Sequence, residues 1–302
     1  MDEIKRAELC SGAYGIVREN VDMSTLTTFH VGGPCDVLIE VTSEKEALRT
    51  VRFLRNNAIP FTVMGNGSNL LVRDGGIRGV VLKMGSKLAD VEVRGNRIIA
   101  QAGAMLSIVS QKGFKAGLTG MEELSGIPGS VGGGVIMNAG AYGREMKDVV
   151  TSIRAIDRDN RLVTLTIDEM DMGYRTSRML SEDMVVTEIT FDLKQDAPEA
   201  IMARYQDYAT RRATKQPLDK FSAGSTFKRP TGYFAGKLIE DAGLRGYGYH
   251  DAQVSEKHCG FVVNNGKATA SDVLHVIRHV QESVKAQFGV TLETEVRIIG
   301  ED

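Results

Sequence analysis

A chain of 302 residues that is 42% hydrophobic and 25% charged has the composition of an ordinary soluble globular protein, and its length predicts about two domains. A net charge of −2 gives no basic footprint for nucleic acid. No apolar run approaches the ~20 residues that span a bilayer, and the charged opening MDEIKRAELC lacks the apolar stretch of a signal peptide. Cys10, Cys35 and Cys259 stand far apart with no CxxC, so neither a disulfide framework nor a zinc site is predicted, and a cytoplasmic, thiol-reduced setting is expected.

After the polar N-terminus, Thr25–Cys35 reads as a loop broken by Gly32, Gly33 and Pro34. Asp36–Val41 is a short apolar strand. Ser43 followed by Glu46 has the form of a capping box and opens a helix to about Asn57, with Ala47, Leu48, Val51 and Leu54 inward. Phe61–Met64 is a strand ending in a glycine-bearing turn, Gly79–Met84 another, and Val91–Ala100 a hairpin turning at Gly95-Asn96. Met105–Lys115 is helical. Beyond the long glycine segment that follows, Val149–Asp157 and Leu162–Ile167 alternate like an antiparallel pair, and Met184–Lys194 is a further strand.

Near Ala197-Pro198 the texture changes. A charged helix, Glu199–Thr214, leads to a short strand at Ser225–Lys228, a helix at Phe234–Ala242, a strand at Gly260–Val263, a long helix Ser271–Phe288 and a last strand Glu293–Ile299. The domain boundary is expected at about residue 200. Hairpins mixed with helices predict an α+β fold rather than a regular βαβ series.

Two glycine-bearing turns draw attention. Gly126–Gly143 (GIPGSVGGGVIMNAGAYG) holds seven glycines in 18 residues, too dense for an ordinary core element and too apolar at Val131, Val135, Ile136 and Met137 for a linker. Such a segment is expected to press its backbone against a large phosphate-bearing ligand; a glycine-rich turn between buried strands is the competing reading. Gly65–Leu70 (GNGSNL) lies about 60 residues earlier. It lacks the third glycine of a dinucleotide fingerprint, and Asp74 comes too early to hold a ribose, so a Rossmann domain is not predicted. No GxxxxGK[ST] occurs. Exposed amides with the Ser68 hydroxyl and the Asn69 amide could still hold a pyrophosphate, and one phosphate-rich ligand held by both turns is the economical reading.

Three polar residues stand out in the second half. Arg175, in Gly173–Ser177 (GYRTS), offers a fork of donors suited to a carboxylate or a developing enolate, although a surface ion pair explains many such arginines. Ser225, in SAGSTFKRP, has no GxSxG elbow around it; it can donate a proton or bind an anion near Lys228 and Arg229, or simply cap a turn. Glu295 shares one face of its strand with Glu293 and Arg297, as a solvated strand face also would. His275 and His279 lie four apart on a helix without the glutamate of HExxH, which fits a wet helix face better than a metal pair. His30 and His258 fall in loops with no assigned role.

Taken together, TTFHVGGPCD, GNGSNLLVRDGG, GIPGSVGGGVIMNAGAYG, GYRTS, SAGSTFKRP, AGKLIEDAGLRG and ETEVRIIG resemble, in order from about residue 25 to 299, the UDP-N-acetylenolpyruvoylglucosamine reductases. The resemblance implies a two-lobed FAD-binding region of the vanillyl-alcohol-oxidase type over residues 1–200 (lobes about 20–84 and 85–200) and an α/β UDP-sugar domain over 201–302. FAD would be held non-covalently by Gly65, Asn66, Gly67, Ser68, Asn69 and Leu70 and by Gly126, Ile127, Pro128, Gly129, Ser130, Gly132, Asn138, Gly140 and Ala141. NADPH would be the co-substrate and UDP-N-acetylglucosamine enolpyruvate the substrate, in peptidoglycan precursor synthesis by a cytoplasmic monomer. Ser225 would protonate the α-carbon, with Arg175 and Glu295 stabilising the enol. Tyr142, Tyr174, Lys215, Lys228 and Arg229 would contact substrate. Arg229 stands where the family more often has asparagine, and no insertion follows GYRTS, as in the family's shorter form. A flavin-dependent oxidase and a non-catalytic UDP-sugar or flavin-binding module are the competing readings. The first lacks a His or Cys in either glycine turn for covalent flavin attachment, and Arg175, Ser225 and Glu295 together weigh against the second.

Overall fold

The computed structural model describes residues 3–302. It divides into two compact units that are interleaved in sequence rather than cut once near residue 200. The first comprises the chain up to Glu19, Val37–Asn66 and Gly79–Thr210; the second comprises Asn20–Asp36, Gly67–Arg78 and Arg211–Asp302.

The first unit is organised on a five-stranded antiparallel sheet in the order Leu162–Thr166, Val150–Ile156, Val185–Asp192, Arg97–Gln101, Val91–Arg94. Ile153 pairs with both Leu165 and Ile189, and Ile189 with Ala100, so the apolar positions line up across strands. Phe61–Met64 runs parallel to Ile77–Lys83 in a second sheet, ordered Ile16–Asp22, Pro34–Glu40, Ile77–Lys83, Phe61–Met64. The helix Glu44–Asn56 buries Ala47, Val51 and Leu54 with Val37, Ile39, Val80 and Leu82. Its expected capping box is half formed: Ser43 Oγ accepts from the Glu46 amide at 3.2 Å, whereas the Glu46 carboxylate reaches past Ser43 to the Thr42 amide and hydroxyl at 2.8 and 2.9 Å.

In the second unit the antiparallel strands Gly248–Tyr249, Ala252–Val254 and Val262–Asn264 pack with the helix Ala270–Phe288, whose buried Val273, Val276, Ile277, Val280 and Val284 repeat at helical spacing. That helix starts in a complete capping box, Thr269 with Asp272, and ends at Gly289 in the left-handed region. Leu70–Val72 pairs in parallel with Arg297–Ile299.

Two expected strands are reduced. Ser225–Lys228 forms a single bridge, Phe227 with Thr294, and the C-terminal strand is confined to Arg297–Ile299. The cause lies in Thr226, whose amide, carbonyl and hydroxyl serve three different neighbours instead of one continuous ladder. The histidines of the long helix do not sit on a wet face: His275 stacks on Tyr249 at 3.9 Å and His279 on Tyr247 at 4.0 Å, both half-buried.

Candidate active site

In the first unit the strand Phe61–Met64 delivers Gly65 and Asn66 against the start of the glycine-rich segment. A Cβ at Gly65 would lie 2.1 Å from Ser130 Oγ, so only glycine permits this approach. Asn66 Nδ2 donates to the Pro128 carbonyl at 2.7 Å. The segment itself is not an extended backbone wall. After Gly129 it runs beside residues 102–106, with the Leu106 amide on Gly129 O, the Val131 amide on Ala104 O and the Gly132 amide on Ala102 O at 2.8–3.0 Å. It then winds into a helix, Val131–Ile136, with Ser130 Oγ accepting from the Gly133 amide. Three glycines disfavour a helix intrinsically, but a Cβ at Gly132 would meet Ala102 Cβ at 2.8 Å, so packing selects glycine here.

The helix exits at Asn138, fully buried with φ of 40°. Its Nδ2 donates to Gly173 O at 2.9 Å and to Glu145 Oε2 at 3.1 Å, and its Oδ1 accepts from the Lys147 amide at 3.0 Å. Asn138 is therefore a structural clamp that ties the glycine segment to the Gly173–Ser177 turn, and Ser177 Oγ adds a 2.7 Å bond to Ile136 O. Arg175 points back along this clamp, reaching Asn138 O at 3.5 Å and Gly140 O at 3.4 Å, with its guanidinium 4.8 Å from the Tyr174 ring. Gly140 and Ala141 pair with Glu145 and Arg144. Tyr142, with 41% exposure, has its ring 5.0 Å from that of Tyr208. Asn138, Tyr142 and Arg175 all hold positive φ, of 40°, 52° and 56°. Left-handed backbone at non-glycine residues costs on the order of 1–3 kcal/mol each and gathers at functional sites.

The loop before Gly126 is held by a residue that sequence reasoning missed. Glu122, with 2% exposure, accepts from Thr119 Oγ1 and the Gly120 amide, both at 2.7 Å, and from Arg204 Nε at 3.0 Å. Its own carbonyl accepts from Ser125 Oγ at 2.7 Å. Burial alone would raise its pKa; the Thr119 hydroxyl, the Gly120 amide and Arg204 outweigh it and hold the carboxyl below the ordinary glutamate value. Beyond this loop Gly126 and Pro128 are exposed, Ile127 is half-buried, and Gly129 and Ser130 are buried.

In the second unit the remainder of the first glycine turn meets the C-terminal segment. Thr28 donates its amide to Gly67 O at 3.4 Å, Ser68 is half-buried, and Leu70 pairs with Arg297. Asn69 Nδ2 donates to Glu295 O at 3.3 Å and Asn69 O accepts from the Arg297 amide at 3.0 Å. The side-chain amides of Asn66 and Asn69 each donate to a backbone carbonyl. Glu295 also donates its amide to Thr226 O at 2.8 Å, so Ser225 and Glu295 occupy adjoining segments. Lys228 pairs with Glu293 at 3.0 Å, and Arg229 lies 3.9 Å over the ring of Phe234. Lys215 is exposed at the end of the helix Pro198–Lys215. His30 stacks on Phe221 at 4.0 Å. His258 has its pKa lowered by burial, and Cys259 has its own raised for the same reason.

Gly65, Asn66 and Gly126–Ser130 together contain no carboxylate, and glycine at position 65 lets the backbone come up against Ser130 Oγ. This neutral, amide-rich donor set fits the pyrophosphate of a dinucleotide cofactor.

Comparison with known proteins agrees with that chemistry. Residues 35–166 match the FAD binding domain family, and residues 216–299 match the family described as UDP-N-acetylenolpyruvoylglucosamine reductase, C-terminal domain. The fold is α+β, an FAD-binding domain of the vanillyl-alcohol-oxidase type followed by a C-terminal α/β domain: the fold of a flavoprotein oxidoreductase. The chain is 51% identical over 280 residues to the UDP-N-acetylenolpyruvoylglucosamine reductase of Clostridium botulinum strain Hall, covering 93% of this chain and 91% of the relative. It is 46% identical over 286 residues to that of Clostridioides difficile strain 630, covering 95% and 94%. A solved structure of the reductase from Thermus caldophilus superposes with a TM-score of 0.82 at 36% identity, over 94% of this chain and 99% of that one. The chain belongs to the UDP-N-acetylenolpyruvoylglucosamine reductase family. Among the described residues no helix is long and apolar enough to cross a membrane.

Proposed function

We propose that the protein reduces UDP-N-acetylglucosamine enolpyruvate to UDP-N-acetylmuramate with NADPH as co-substrate, in peptidoglycan precursor synthesis, as a cytoplasmic monomer. Residues up to about 200 would serve FAD and residues 201–302 the UDP-sugar. The observation that carries the reading is the pairing of the Ser225 and Glu295 segments through the Thr226 carbonyl, which brings a hydroxyl and a carboxylate onto adjoining chain. When bound, FAD would supply hydride-transfer chemistry between NADPH and the enolpyruvyl side chain.

Gly65–Leu70 and Gly126–Ser130 would hold its pyrophosphate and ring system through backbone amides, with Gly132, Asn138, Gly140 and Ala141 shaping the wall. Hydride addition at the β-carbon moves an electron pair onto the α-carbon and its conjugated carboxylate. Arg175 meets that developing charge with a fixed cation, and its left-handed backbone preorganises the fork before charge appears. Ser225 gives its proton to the α-carbon and is reprotonated through neighbouring polar groups. A serine hydroxyl is too weak an acid to act before charge develops, so transfer coincides with it. Glu295 orients the enol, while Tyr142, Tyr174, Lys215, Lys228 and Arg229 contact the remainder of the substrate.

Anaerobic NADPH is expected to bleach the yellow protein, and the enolpyruvyl UDP-sugar to restore the colour. Ser225→Ala should bleach at the wild-type rate and recover on the order of 10²-fold more slowly. Recovery of Ser225→Ala at the wild-type rate removes the serine from the mechanism, and recovery with dioxygen but not with the enolpyruvyl sugar favours an oxidase.

A further inference from the structure

Thr226 is 1% exposed and divides its backbone and side-chain polar groups between two other segments, residues 260–262 and the one containing Glu295. Its amide donates to Gly260 O at 2.8 Å, and its carbonyl accepts from the Glu295 amide at 2.8 Å. Its hydroxyl oxygen accepts from the Val262 amide at 2.9 Å. Val262 is itself 1% exposed, so that amide has no water to fall back on. The Gly260 strut is anchored in turn, since its amide donates to His258 Nδ1 at 3.1 Å. Phe227, the next residue, is 3% exposed and bridges Thr294. A β-branched side chain has a stiff χ1, so the hydroxyl is held where the Val262 amide needs it.

From this geometry we propose that Thr226 is a positioning residue for the oxidative half of the reaction: it sets the register of Ser225 against Glu295. The inference rests on the reading of Ser225 as proton donor. Ser225 directly precedes Thr226 in the chain, and Glu295 hangs from the Thr226 carbonyl. A displacement of Thr226 therefore moves the donor hydroxyl relative to the carboxylate, without touching the Gly65–Ser130 contact of the first unit. Misplacement of reacting groups by about 1 Å costs on the order of 10²-fold in rate, while hydride uptake from NADPH needs neither Ser225 nor Glu295.

The test is anaerobic stopped-flow absorbance of the flavin-loaded enzyme, with bleaching by NADPH and recovery with UDP-N-acetylglucosamine enolpyruvate followed separately. Thr226→Val should slow recovery roughly 10- to 100-fold and leave bleaching within about twofold, and Thr226→Ser should restore recovery. If Thr226→Val does not retain flavin, Thr226→Ala, which removes the hydroxyl without putting a methyl in its place, carries the same expectation. In substrate-free protein Thr226→Val and Thr226→Ala should speed amide exchange at Val262 and Glu295. Equal slowing of both half-reactions, recovery at the wild-type rate, or unchanged exchange at Glu295 overturns the proposal. Ser225→Ala run in parallel separates the two ideas: wild-type recovery there refutes the serine's role, whereas slow recovery there beside fast recovery in Thr226→Val refutes only the threonine's.

Discussion

Glu122→Gln is the sharpest test of how the loop before Gly126 is held. The wild-type carboxylate receives two donors at 2.7 Å and one at 3.0 Å. Arg204 is 40% exposed in its side chain, so its share falls in the surface range of ~0–1 kcal/mol. The Thr119 and Gly120 bonds are the expensive ones. Glutamine keeps one acceptor and must turn its NH2 toward either the Thr119–Arg204 donors or the Gly120 amide, leaving donors facing in a buried site. One lost charge-assisted bond and one unsatisfied donor together come to about 2–4 kcal/mol. A central ~3 kcal/mol lowers Tm by roughly 6–12 °C. Because the folded pKa lies below the ordinary glutamate value, the stabilisation is complete above pH ~4.3 and is lost as pH falls toward the folded value. Thermal melts by circular dichroism at pH 7 and at pH 3 should therefore show a large gap between variant and wild type at neutral pH and a narrower one in acid. A variant melting within about 1 °C of wild type at pH 7, or a gap that does not narrow in acid, refutes the reasoning.

Gly65→Ala would set a Cβ 2.1 Å from Ser130 Oγ and push apart the Asn66–Pro128 clasp; FAD titration of the apoprotein should show binding weakened about tenfold or more, equivalent to ~1.4 kcal/mol. Gly132→Ala gains roughly 1 kcal/mol of helix propensity but puts a Cβ 2.8 Å from Ala102 Cβ and 2.9 Å from Ala102 O; overpacking of about 1–3 kcal/mol should win, and the sign of the Tm change decides. Asp272→Ala should cost about 1–2 kcal/mol by removing half of a capping box. Burial raises the Asp272 pKa, but Thr269 and His250 pull it below the ordinary aspartate value. This stabilisation is therefore present near neutrality and fades only as pH falls below ~3.9. Arg175→Lys keeps the charge and loses the fork; recovery with the enolpyruvyl sugar should slow on the order of 10²-fold while bleaching by NADPH does not.

The long helix was legible because Val273, Ile277, Val280 and Val284 repeat at helical spacing between a threonine cap and a glycine stop. The antiparallel pair around Asp159-Asn160 was legible for the same local reason. Val131–Ile136 was not, because its helicity comes from Ala102 and Leu106 filling the space where side chains would be, against the intrinsic preference of glycine. The carbonyl partners of Asn66, Asn69 and Asn138 were not legible for a related reason. Each is contributed by a distant segment. Thr226 and Glu122 carried a weak local signal: one adjoins Ser225, and the other stands four positions before the start of GIPGS, but their burial and bonding are tertiary facts.

The chain passes from one compact unit to the other at residues 19/20, 36/37, 66/67, 78/79 and 210/211. Asn69 waits for a partner 226 positions later, and Leu70–Val72 for Arg297–Ile299. During synthesis, Asn20–Asp36 and Gly67–Arg78 must leave the ribosome long before their companions exist, so the second unit can close only after the segment around residues 295–299 has been made. Neither unit is obtainable by simple truncation, and a nascent chain halted near residue 210 should display protease-sensitive cleavage within Gly67–Arg78 that the finished protein resists.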